Sequence, residues 1–129
     1  MLRSALVGIV ILTGLTPAVA GDVEDGRNLF LRKCIGCHAF SCNKDGPKLG
    51  GLMGRKAGTV EGYDFYTDAV KNSEVVWNEP KLDEFLRDPA AFFPQSTMAT
   101  SGLVEDAEDR MKLILFLKTE DPAVNICSD

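Results

Sequence analysis

The stretch Cys34-Ile35-Gly36-Cys37-His38 decides how this chain is read. Two thiols three positions apart, followed at once by a histidine, form the pattern by which c-type haem is attached. On a helical turn Cys34 and Cys37 share a face, and each can form a thioether with a haem vinyl group. His38, next in line, brings its imidazole under the iron as an axial ligand. Two other uses of a Cys-x-x-Cys pair compete. A zinc site is disfavoured because His38 is the single histidine in the chain, and adjacent Cys37 and His38 would struggle to reach one ion together. A redox dithiol is disfavoured because the flanking sequence carries no βαβ pattern.

The chain has 129 residues, enough for one small domain. Residues 1–20 read as a signal peptide: Arg3 is a basic n-region, Leu6 to Leu15 a mostly apolar run too short to span a bilayer, and Ala18-Val19-Ala20 a cleavage site. The rival reading of this segment is an N-terminal membrane anchor. Cleavage leaves a domain of residues 21–129, with no other segment able to cross a membrane, and loss of Arg3 takes the formal charge from −5 to −6. An acidic chain of this size is not a nucleic-acid binder by bulk electrostatics. Export to the periplasm is the compartment in which a bacterial chain acquires covalent haem. After haem attachment Cys42 and Cys127 are the two remaining thiols, and an oxidising compartment favours pairing them. Two free thiols, or a bridge between molecules, are the alternatives.

Helical signals are short and separated by long loops. Asp22 to Lys33 predicts a helix, with Asp22 as N-cap and Gly26 allowing another helix to approach closely. Phe40 to Gly62 is rich in Gly and Pro and aperiodic, too long a loop to be idle in a compact domain. A short helix starts near Thr67. Asn78 caps a clearer one, in which Leu82, Phe85 and Leu86 recur at helical spacing until Asp88-Pro89, and Ala90 to Phe93 adds a turn. Val104 to Thr119 predicts the last helix, burying Leu113, Phe116 and Leu117. No strand alternates convincingly, so the class is all-α, with short helices and long loops around one covalent haem. Such an architecture buries little apolar area for its size, and a large flat apolar cofactor at its centre supplies the deficit.

The second axial position has several candidates. Met53 follows a Gly-rich turn soon after His38. Met111 lies on a helix beside its apolar face, where methionine is usually packing. Met98 sits in the polar, aperiodic loop from Gln95 to Gly102, with no helix to bury it. It is placed to return over the opposite face of a haem, where soft thioether sulfur favours Fe(II) and raises the reduction potential.

At this point the chain resembles a soluble class I cytochrome c of the mitochondrial and photosynthetic-bacterial group. The resemblance runs from about Gly26 to Lys118. It rests on Gly26 with Phe30, the Cys34–His38 motif, Gly46-Pro47, Gly54-Arg55-Lys56, Tyr66-Thr67-Asp68-Ala69, Trp77, Pro94 with Met98, and Leu113 with Phe116. It implies that the Pro47 carbonyl accepts the Nδ1–H of His38, and that Arg55, Tyr66 and Trp77 hold the haem propionates. Considered alone, those three would read as a surface charge and two core aromatics. The chain departs from the pattern at Val70 and Thr100, in a shorter segment between His38 and Gly46, and in a tail reaching Cys127. Of the lysines that ring the haem edge of mitochondrial members Lys33 remains, while Ala90, Thr97, Val104 and Glu105 occupy the places of the others.

The resulting expectation is a monomeric periplasmic one-electron carrier, His38/Met98 ligated, passing electrons between redox protein partners and catalysing no reaction itself. A haem enzyme or gas sensor would need an open iron position, which Met98 argues against. A thiol oxidoreductase built on Cys34 and Cys37 would be colourless.

Overall fold

A computed structural model describes residue 14 and residues 17–127. Most of the expected leader, residues 1–13 and 15–16, lies outside the described residues, as do residues 128–129. The elements in order are α1 (Pro17–Lys33), α2 (Asp68–Lys71), α3 (Glu79–Arg87), α4 (Pro89–Phe92), α5 (Ala107–Leu117) and a 3₁₀ turn at Pro122–Val124. Among the described residues there is no β-strand, only an isolated antiparallel bridge between Lys56 and Val76. The all-α arrangement of short helices and long loops expected from the sequence is the one observed.

The crossing of α1 and α5 fixes the frame. Gly26 is buried where the two helices meet, and a Cβ built on it would stand 2.0 Å from the Lys112 carbonyl oxygen and 2.9 Å from Phe116 Cβ. Only glycine permits that approach, so the roughly 1 kcal/mol it costs inside a helix is spent on the crossing. Phe30, wholly buried, packs against Phe116 at 5.4 Å and Phe40 at 5.5 Å between ring centroids. Lys112 ties the outside of the crossing, its Nζ lying 2.8 Å from Glu108 and 3.0 Å from Asp25. Those carboxylates, Glu108 first, raise the Lys112 pKa above its ordinary value.

Three boundaries differ from expectation. The first helix begins at Pro17 rather than at Asp22. Proline is favoured at a first helical position, and the alanine-rich Ala18-Val19-Ala20 does nothing to stop the helix there. Asp22 is therefore not a cap, and Asp25, well inside the helix, pairs with Lys112. The last helix begins at Ala107, with Asp106 as N-cap accepting the Asp109 N–H at 2.9 Å, and ends at Leu117. Val104 stays out of it because its N–H bonds the Leu86 carbonyl at 2.8 Å. The buried Arg110 guanidinium meanwhile takes the carbonyls of Val104 and Glu105 at 2.9 and 2.7 Å and pairs with Asp83 at 2.7 Å. Elsewhere the local signals act as expected. Asn78 caps α3 by accepting the Lys81 N–H at 2.9 Å, and Asp88 caps α4 by accepting the Ala91 N–H at 3.1 Å.

The tail folds back over the start of the long loop. Val124 is 1% exposed, and Ser41 N–H donates to Asn125 Oδ1 at 2.9 Å. The structure joins the sulfur atoms of Cys42 and Cys127, whose Cα atoms are 6.1 Å apart.

Candidate functional site

α1 ends at Lys33, and the chain continues its coil for one more turn. The N–H groups of Cys34 and Ile35 both reach the Phe30 carbonyl, and His38 N–H reaches the Cys34 carbonyl at 2.9 Å. This turn delivers Cys34, Cys37 and His38 to one wall of a cavity of about 290 Å³. Pro47, Arg55, Tyr66, Trp77 and Met98 line the same cavity, so eight residues spread over 65 positions converge on it. Its remaining walls are largely apolar and include Leu52, Leu82, Phe85, Leu113 and Leu117.

His38 is 6% exposed. Its Nδ1 lies 2.8 Å from the Pro47 carbonyl oxygen. A carbonyl can only accept, so Nδ1 carries the proton and the Nε2 lone pair is free. Burial lowers the His38 pKa, which keeps the ring neutral, and neutral imidazole is the metal-binding form. Gly46 lies flat against the imidazole, since a Cβ there would fall 2.3 to 2.7 Å from three ring atoms. Glycine followed by proline is thus required by the histidine: one to clear the ring, the other to accept its proton. Burial also pushes the Cys34 thiol up to about 11, while Cys37 is exposed at the cavity mouth.

The loop from Pro94 to Val104 brings Met98 to the same cavity. Gly102 N–H donates to the Met98 carbonyl at 2.9 Å, and a Cβ on Gly102 would lie 2.6 Å from Met98 Cε. The loop turns tightly at Gln95, a non-glycine residue at φ 62°. Lys33 Nζ donates to the Leu103 carbonyl at 3.2 Å, tying the far end of the loop back to α1. Met53 and Met111 do not line the cavity; Met111 is 46% exposed on α5.

Arg55 and Trp77 are held side by side by a short ribbon: Gly54 N–H donates to the Trp77 carbonyl at 2.8 Å, and Trp77 N–H to the Arg55 carbonyl at 2.9 Å. Arg55 donates through one terminal nitrogen to Gly50 O at 2.9 Å and through the other to Lys48 O at 3.0 Å. Its Nε is buried without a partner, and so is Thr67 Oγ1. Tyr66 hydroxyl accepts the Val60 N–H at 3.2 Å, which leaves its own proton to donate. Unpartnered buried polar atoms are rare. Two of them beside one cavity mark where an acceptor belongs, and a carboxylate would satisfy both. Apolar walls, a neutral imidazole, a thioether on the same cavity and a polar edge awaiting an anion suit a haem with its propionates.

Thr67 was not singled out for this role by its sequence, where it reads as the start of α2. It does stand at the N-cap of that helix, yet its side chain makes no capping bond. The signal that could have found it is its place directly after Tyr66.

The family profile described as cytochrome c matches residues 23–120. The chain belongs to the cytochrome c family. Cytochrome c of Gibberella zeae is 46% identical over 101 residues, covering 76% of this chain and 93% of that protein. Cytochrome c of Arabidopsis thaliana is 42% identical over 106 residues, covering 80% of this chain and 93% of that protein. Cytochrome c2 of Blastochloris viridis is 38% identical over 121 residues, covering 91% of this chain and 93% of that protein. The cofactor is accordingly a single covalently attached c-type haem, and the role is that of an electron carrier. No described helix is long and apolar enough to cross a membrane.

Proposed function

We propose that this cytochrome c is a periplasmic carrier of single electrons, with His38 and Met98 as the two axial ligands of its haem iron. The observation that carries the ligand assignment is that His38, oriented by Pro47 at 2.8 Å, and Met98 line one cavity. Cys34 and Cys37 would hold the haem by thioethers. Arg55, Tyr66 and Trp77, joined by Thr67, would hold its propionates. When bound, the haem supplies the Fe(III)/Fe(II) couple. The protein's part is to keep the ligand set fixed between the two states and to exclude water from most of the cavity, so that transfer requires little rearrangement. Nothing in this arrangement offers a second substrate position, so no catalysed reaction is assigned.

Residues 1–20 act as a cleaved signal peptide in this reading, and Cys42 with Cys127 forms a disulfide suited to an oxidising compartment. The mature chain works as a monomer toward redox protein partners and does not insert in the membrane. The c2-type relative, which aligns over 91% of this chain, supports the periplasmic reading.

Acid–acetone extraction of the purified protein should leave the colour on the polypeptide. Met98→Ala should abolish the weak far-red sulfur-to-iron band of the oxidised protein and lower its potential by on the order of 0.1 V, a fraction of the roughly 0.8 V that axial ligands span. Colour in the solvent would refute the thioethers. Loss of the band in Met53→Ala or Met111→Ala, but not in Met98→Ala, would refute the choice of methionine.

A further inference from the structure

The family match ends at residue 120, and the structured tail from Asp121 to Cys127 lies beyond it. This segment lies outside the family match, and it lands on one place. We propose that it is a strap that holds the loop carrying Gly46 and Pro47 against His38. The proposal rests on the reading of Cys42 and Cys127 as a disulfide.

The strap is anchored along its length. Asp121 lies 3.5 Å from Arg27 of α1 and caps the 3₁₀ turn by accepting the Ala123 N–H at 2.9 Å. Val124 is buried in the core. Asn125 closes a reciprocal pair with Ser41, accepting its N–H at 2.9 Å and donating to its hydroxyl. Cys127 is bonded to Cys42. At the other end of the same loop, the Glu120 carboxylate accepts the Gly51 N–H. Glu120 adopts φ 50° there, a left-handed conformation that a glutamate adopts at a cost.

The Ser41 end of this segment is therefore fixed by the tail, and its Gly51 end by Glu120, the residue just before the tail. Between those ends lie the two residues that touch the imidazole. Gly46 N–H donates to the Cys37 carbonyl at 2.8 Å, and Pro47 O accepts from His38 at 2.8 Å. Pinning the ends of a short loop removes the motions that would lengthen those bonds in its middle. The strap acts through Pro47 on the direction and electron donation of the ring, so Asn125, Cys42 and Cys127 are positioning residues. A plain stability staple would have no such local target.

The test uses the oxidised holoprotein. Thiol titration under denaturing conditions comes first and should find no free sulfhydryl. The native protein is then treated with a dithiol reductant, which becomes oxidised as Cys42 and Cys127 become two thiols. The thiols are alkylated, and the iron is returned to Fe(III) with ferricyanide. Thioether links to haem survive thiols, so no refolding is involved. Exchange of the Gly46 amide and the His38 Nδ1–H with deuterium is followed by NMR, with the Phe116 amide as the reference for global opening. Gly46 and His38 should exchange at least tenfold faster while Phe116 changes less than threefold. Asn125→Ala, which leaves the disulfide intact, should show the same pattern at smaller size. Two free thiols in the untreated protein would overturn the disulfide and the proposal with it. A disulfide whose cleavage leaves Gly46 and His38 unchanged, or speeds all three sites equally, would overturn the proposal alone.

Discussion

Replacing Gly26 by alanine should destabilise the protein, although alanine is the better helix former. A Cβ at this site would stand 2.0 Å from Lys112 O, and the tight end of ordinary contact is 3.4 Å, so the α5 backbone must retreat by about 1.4 Å. The obstacle is main chain together with Phe116 Cβ at 2.9 Å, neither of which can rotate away. Retreat opens the seam filled by Leu29, Phe30, Leu113 and Phe116, and a gap of roughly 0.5–1 Å already forfeits a quarter to a half of each dispersion contact. Overpacking costs roughly 1–3 kcal/mol, and a collision with backbone belongs near the upper end. Alanine returns about 1 kcal/mol of helix propensity. The net loss is about 2 kcal/mol. At roughly 4–8 °C per kcal/mol for a domain near this size, the midpoint should fall by about 8–16 °C. Thermal unfolding of the oxidised holoprotein, followed by far-ultraviolet circular dichroism, measures it. Asn28→Ala, on the exposed side of the same helix, serves as the control and should leave the midpoint within about 3 °C. A Gly26→Ala protein as stable as its parent would show that α1 and α5 do not cross as closely as described.

Arg55→Leu should lower the reduction potential, because it removes a half-buried cation beside the haem cavity and so favours Fe(III); voltammetry of the variant reads the shift, and an unchanged or raised potential would defeat the assignment. Lys112→Met should lower the thermal midpoint. The Lys112 pKa is raised in the folded state, so its contribution is full below the ordinary value of 10.5 and is lost as pH rises through the higher folded value. The difference in midpoint between parent and variant should accordingly stay constant from about pH 6 to about pH 9 and shrink only above that; a difference that shrinks between those limits would be contrary. Electron transfer with the native partner should change little as added salt shortens the Debye length from about 30 to 10 Å, since the loop from Gln95 to Leu103 carries no charge; a steep fall in rate would reveal a charged docking face, and charge reversal at Lys33 would locate it.

Much of the frame was legible in the chain because the deciding signals are local. Asn78, Asp88 and the Leu82-Phe85-Leu86 spacing define α3 through contacts within four residues, and an unexpected glycine in a helical stretch announced the crossing. The start at Pro17 was misjudged although its signals are local, a proline followed by alanines; the start at Ala107 was not legible, because it depends on a bond to Leu86. Val104 is kept extended by Leu86 O and Arg110, and no pattern between residues 100 and 110 encodes those bonds. The eight candidate site residues were legible through a short motif and a family likeness, and they do meet around one cavity. Thr67 was not, because its distinguishing property is a hydroxyl left without a partner by the packing around it, which is visible only in three dimensions. The position of the tail was equally hidden. Cys127 could be paired with Cys42 by counting thiols, but nothing in the count says that Asn125 and Cys127 meet the loop that carries Gly46 and Pro47.

The crossing of α1 with α5 also sets an order of events. Phe30 and Gly26 find partners at Phe116 and Lys112, 86 positions further along, so the first helix lacks its helical partner until the last one has been made. Short helices are marginal in water without such packing. Cys34 and Cys37 lie just past the end of that first helix, so its packing closes over them only when the last helix docks. The chain is thus built so that covalent chemistry at its beginning can be completed before the fold closes over it.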